Sequence, residues 1–205
     1  MKKFELNILT YMLLIIMCIT WTLDLFTYLF NIPYIIGLLL SIIVNGIINY
    51  FMLKKLKITH NFTKVDIIFY VLLLSIMAIT IVYPDRAFDT FNYHLYLQEN
   101  PFGDKIGFDF FAGKNLNSFS YAFPDRMFYL FRYLLGYRLG VILNYLLVMI
   151  IYHNVKDIVK KLIPSIKELP LVFISLFVAT SISIIDIVDS YYVDLISLVI
   201  LLELF

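Results

Sequence analysis

Ile8 to Phe30, ILTYMLLIIMCITWTLDLFTYLF, and Tyr34 to Leu53, YIIGLLLSIIVNGIINYFML, decide the class of this protein. Asp24 is the single charged residue in the two stretches. Each is long enough to cross hydrocarbon, for which about 20 mostly apolar residues suffice. Lys2 and Lys3 ahead of an apolar core imitate a signal peptide. The run continues to Phe30 without a small-x-small cleavage site, so it reads as a retained helix. Outward from these stretches the composition agrees: 62% of the 205 residues are apolar, against roughly 45–50% in ordinary soluble domains. Further spans are expected at about Val65 to Tyr83, Gly136 to His153 and Pro170 to Ile187, and a sixth begins near Asp194. The expected fold class is all-α: a polytopic integral membrane protein of about five to six transmembrane helices, with interfacial helices in a long outer loop.

Lysines orient it. Lys2 and Lys3 precede the first span, Lys54, Lys55, Lys57 and Lys64 lie before the third, and Lys156, Lys160, Lys161 and Lys167 lie before the fifth. With these spans all three groups fall on one side, which the positive-inside rule makes the cytoplasm. The N-terminus is therefore expected inside, and the segment from Pro84 to Tyr137 and the aspartates Asp186, Asp189 and Asp194 are expected outside. The net charge of +1 excludes nucleic-acid binding by bulk positive charge. One cysteine, Cys18 in an apolar run, excludes a disulfide framework and a thiolate metal site. There is no phosphate-cradling glycine loop, serine elbow, HExxH helix or zinc spacing.

The polar chemistry gathers in the outer loop. In FDTFNYHLYLQENP, Phe88 to Pro101, a helical reading from Asp89 to Asn100 puts Asp89, Asn92, Tyr93 and Tyr96 on one face with His94 beside it. An acid and a histidine at a membrane surface can act as general base and phosphate-binding group. The same pattern also suits an interfacial helix whose aromatic and amide side chains sit at headgroup level. A second helix is expected from Asp125 to Leu135, after Pro124, with Arg126 and Arg132 among apolar residues, as an interfacial helix would have. In SIIDIVDSYYVDL, Asp186 and Asp189 stand at i and i+3 and Asp194 near the same face if one helix is continuous. Two or three such carboxylates could hold a divalent cation; equally, they could mark a solvated turn between two spans. Asp24 reads as structural.

FDTFNYHLYLQENPFGDKI resembles the first outer loop of GT-C type bacterial membrane glycosyltransferases, where a D-[ST]-x-x-Y-H-L-P pattern opens a helix lying on the membrane. YAFPDRMFYLFRYLLGYRLGVILNYLL is similar to the stretch that follows in that family, and DSYYVDLISLVILLELF looks like a later Y-V-D-L element leading into a span. The three come in the family's order, from about Asp85 onward. The resemblance implies an enzyme that takes a sugar from a polyprenyl-phosphate donor. It passes the sugar to a lipid, glycan or protein acceptor on the outer face of a bacterial cytoplasmic membrane. Asp89 then matches the proposed catalytic base of an inverting displacement. His94 matches the pattern's histidine and Asp194 the later acid, both placed at the donor phosphate or in support of the site. Tyr93, Arg86 and Arg126, with Arg132, are candidates for donor-phosphate binding, and Asp186, Asp189 and Asp194 for a divalent cation. Tyr96 stands where the pattern prefers proline, and two spans, residues 1–64, precede the family-like module at 65–205. From Leu195 to Phe205 only about 16 Å of helix forms, against roughly 30 Å of hydrocarbon, so the module is expected to be C-terminally truncated. The alternative to the enzyme is a non-enzymatic or transporter-like subunit handling lipid-linked glycans, or an inactive truncated remnant.

Overall fold

The computed structural model describes residues 4–59, 62–83, 90–99 and 123–204. It is mostly helical and divides into two compact units, Met1–Asn61 and Phe62–Phe205. Among the described residues three helices are long and apolar enough to cross a membrane: Ile8–Leu29, Tyr34–Leu53 and Ile142–Leu162. A bent pair, Glu168–Ala179 with Ile182–Val188, makes a fourth if it is one span.

In the first unit, strand β1 (Phe4–Asn7) leads into helix α1 (Ile8–Asp24), whose start is capped by the Asn7 side chain accepting from the Leu9 amide at 2.9 Å. A π-helical turn, Leu25–Leu29, extends α1, and Asn31, at a φ of 53°, turns the chain into α2 (Tyr34–Leu53). The two helices pack along a seam of small and polar residues on α2. Gly37 lets α1 approach closely, since a Cβ there would lie 3.2 Å from the Thr27 methyl. One and two turns on, Ser41 bonds to the Gly37 carbonyl (2.7 Å) and Asn45 donates to Thr22 Oγ1 (2.8 Å); Asn49 accepts from the Tyr11 hydroxyl at 3.0 Å. In hydrocarbon such bonds replace water. Strand β2 (Leu56–Thr59) pairs in parallel with β1, Phe4 opposite Leu56, so the unit carries a small sheet that the hydropathy pattern does not announce.

The second unit is built around α6 (Ile142–Leu162). Before it come α3 (Lys64–Val82), a π-helical turn (Thr90–His94) continued by the short α4 (Leu95–Glu99), and α5 (Phe123–Leu135). After it come α7 (Glu168–Ala179), α8 (Ile182–Val188) and α9 (Asp194–Glu203). Leu143, Tyr145, Leu147, Ile150, Ile151 and Tyr152 of α6 have no exposed surface, so this helix is the core about which α3, α5, α7, α8 and α9 pack. The span expected at Pro170 to Ile187 is broken: α7 and α8 meet at 56°. Thr180 bonds back to the Leu176 carbonyl at 2.7 Å and Ser175 to Leu171 at 2.8 Å, and such back-bonding bends helices.

At one end of α6 a buried acid fastens α3. Asp66 is fully buried and accepts from Tyr152 (2.6 Å), from Lys156 (2.8 and 3.1 Å) and from the Thr63 amide (2.7 Å), while Thr63 Oγ1 accepts from the Asp66 amide in return (3.3 Å). Thr63 and Asp66 thus form a capping box that is also half of an ion pair. The Tyr70 hydroxyl bonds His153 Nε2 beside it. Removing one partner strands a buried charge, at a cost of about 3 kcal/mol. Lys156→Met should therefore lower thermal stability in detergent strongly, and Asp66→Asn combined with Lys156→Met should cost less than Lys156→Met alone; calorimetry or circular dichroism on melting reads both.

Candidate functional site

The segments 90–99, 123–137 and 190–194 meet beside the start of α6. Pro124 sits in the first turn of α5, where its missing N–H costs no helical bond. Asp125 follows it. His94 closes the π-helical turn, and its Nδ1 lies 2.7 Å from Asp125 Oδ1, both side chains almost wholly buried. A carboxylate on Nδ1 fixes the ring's orientation and its tautomer. Burial pushes the Asp125 carboxyl above its usual range, and the hydrogen bond and charge of His94 pull it back in part. The imidazole packs against Tyr192, ring centroids 5.6 Å apart.

Two arginines bind the end of α4. Arg126, 1% exposed, donates to the Gln98 main-chain carbonyl, and its guanidinium lies 4.4 Å from the Tyr129 ring centre. Arg132 pairs with Glu99 at 2.8 Å. Cations at a helix C-terminus satisfy its last carbonyls and its dipole. An aromatic layer supports the junction: Phe128 with Tyr191 (5.7 Å), Tyr191 with Tyr137 (5.4 Å) and Tyr137 with Phe91 (6.1 Å), and the Tyr191 hydroxyl donates to the Tyr137 carbonyl.

Glycines set the approach. Gly136, at a φ of 82°, ends α5 with its amide on the Arg132 carbonyl at 2.8 Å. Gly140 admits Tyr191: a Cβ there would run into its hydroxyl and lie 2.9 Å from Arg132 Cα.

Of the two readings open for the third segment, a continuous helix or a turn between two helices, the structure has the turn. A continuous helix from Asp186 to Asp194 would put its aspartates near one face, but α8 ends at Val188 and α9 starts at Asp194. Asn144 of α6 explains the break, donating to the carbonyls of Ile187 (3.1 Å) and Ser190 (2.7 Å), and the Ser190 hydroxyl adds a bond to Ile187 at 2.7 Å. These bonds satisfy the terminal carbonyls, so the helix can stop there. Asp186 is exposed on α8, Asp189 accepts from the Tyr145 hydroxyl, and Asp194 lies exposed in the first turn of α9. Among the described residues no three His, Cys, Asp or Glu side chains gather to hold a metal.

Of the other candidates, His94 and Arg126 are brought together on opposite sides of the α4–α5 junction. Asp89 and Arg86, and the side chain of Tyr93, lie outside the described residues. Asp125, Tyr191 and Tyr192 also meet at this junction, and spacing alone does not single them out. The available signal for Asp125 was an acid directly after proline at the head of an apolar helix. Comparison of the chain with protein-family models, with curated proteins and with solved structures gives no match.

Gly140→Ala should destabilise the second unit by about 1–3 kcal/mol through overpacking against backbone. Tyr191→Phe, which removes one hydrogen bond and little volume, should cost only about 1 kcal/mol. A melting series in detergent reads the order of the two, and a larger loss for Tyr191→Phe would contradict the packing described.

Proposed function

We propose that this chain is a membrane glycosyltransferase module of the GT-C type, moving a sugar from a polyprenyl-phosphate donor to a lipid, glycan or protein acceptor on the outer face of a bacterial cytoplasmic membrane. One observation carries the reading. The three segments with the family-like patterns, separated by up to about a hundred residues of chain, converge on one junction, where His94 meets Asp125 and Tyr192. The chain would have five to six spans with the N-terminus inside, as the lysine groups suggest.

The chemistry asks for few groups. The carboxylate of Asp89, next in sequence to the turn that holds His94, takes the proton of an acceptor hydroxyl. The oxygen attacks the anomeric carbon from the face opposite the phosphate, and the carbon–oxygen bond to phosphate breaks, its electron pair leaving with polyprenyl phosphate. The sugar is inverted. His94, oriented by Asp125, meets the leaving phosphate, and Arg126 supplies positive potential behind it. No step is assigned to a metal.

Transfer of labelled sugar from a polyprenyl-phosphate donor pool in membranes containing the chain tests this. Asp89→Asn should abolish transfer while leaving membrane insertion unchanged, and His94→Ala should lower it by about 10²-fold or more. Transfer by Asp89→Asn at the wild-type rate removes Asp89 as base; no transfer by well-inserted wild type removes the enzyme reading.

A further inference from the structure

Gln98 buries a polar side chain with neither end matched. It is 0% exposed, and among the described residues neither its carboxamide nitrogen nor its oxygen has a hydrogen-bond partner. Around it the Gln98 main-chain carbonyl is matched by Arg126, Glu99 by Arg132 and Asp125 by His94; Arg132 Nε is the other buried side-chain atom of this junction that has no partner among the described residues. A leucine of similar size would fill the same space without burying an unsatisfied amide, a state that ordinarily costs about 1–3 kcal/mol. The residue lies one helical turn after His94, hence on the same side of the helix. Glu99 beside it is half-exposed, so the turn lies at the edge of the buried layer.

The shape of the missing partner follows from the group. A carboxamide presents donor and acceptor side by side. A phosphate can use only the donor, and an isoprenoid chain neither. Adjacent ring hydroxyls, each able to donate and accept, use both. We infer that the Gln98 carboxamide is the sugar-recognising group of this site, binding vicinal hydroxyls of the transferred hexose. This rests on the transferase reading above, and assigns its donor specificity to one residue.

Binding by the purified full chain in nanodiscs tests it, with glucose 1-phosphate, mannose 1-phosphate and methyl phosphate as the probes and with Gln98→Leu and Gln98→Met as variants. Wild type should bind at least one hexose 1-phosphate about tenfold or more tightly than methyl phosphate. Both variants should melt at or above the wild-type temperature, bind methyl phosphate as before, and lose most of the preference for the hexose. A preference retained in both variants overturns the inference, as does its absence in wild type, or a lower melting temperature in both variants, which would mean that the amide has a structural partner. Hexose preference that depends on Gln98 in a chain that transfers no sugar would instead support the inference while removing the catalytic reading.

Discussion

A polar group that this chain buries is costly unless it finds its partner inside the protein, because hydrocarbon and packed aromatic side chains supply no water to replace it. The second unit is arranged by that requirement. Asp66 collects a lysine, a tyrosine and the capping amide of its own helix, and so fixes where α3 meets α6. Asn144 takes the carbonyls at the end of α8, and so decides where a helix stops. His94 and Asp125 close on each other and so join two segments separated by the loop between them.

The same requirement links fold to chemistry. A histidine held by a buried carboxylate is a positioned group, with one nitrogen committed and its ring plane fixed. The arginines reach the end of α4 from a different helix, so α5 both caps its neighbour and brings positive charge to the junction. Gly140 allows the Tyr191 segment to enter without a clash, and Gly136 supplies the positive φ at which α5 ends. In this setting the carboxamide of Gln98 is informative because both its donor and its acceptor are buried without a partner among the described residues.

Much of this was legible in the sequence, and the limits have physical causes. The apolar runs at Ile8 and Tyr34 became α1 with its π-helical extension and α2 because their length and composition leave few alternatives. The helix after Pro124 and the helix containing His94 also followed from local signals. What local pattern could not carry was any contact made at a distance. Nothing near Asp186 to Asp194 announces that Asn144 will take its carbonyls, so periodicity left a continuous helix and a turn equally open. Asp66 stands in the first turn of α3, and its ion pair depends on Lys156, ninety residues away. Asp125 was hidden for the same reason, its partner lying on another element.

The central claim is that the His94–Asp125 pair joins the Thr90–Glu99 segment to α5 as one energetic unit. A double-mutant cycle on thermal or denaturant stability, with His94→Ala, Asp125→Ala and the combination, measures that coupling directly. The account predicts an interaction energy of at least about 1 kcal/mol, with the double variant less destabilised than the sum of the singles. Additive losses, or a neutral His94→Ala, would contradict it.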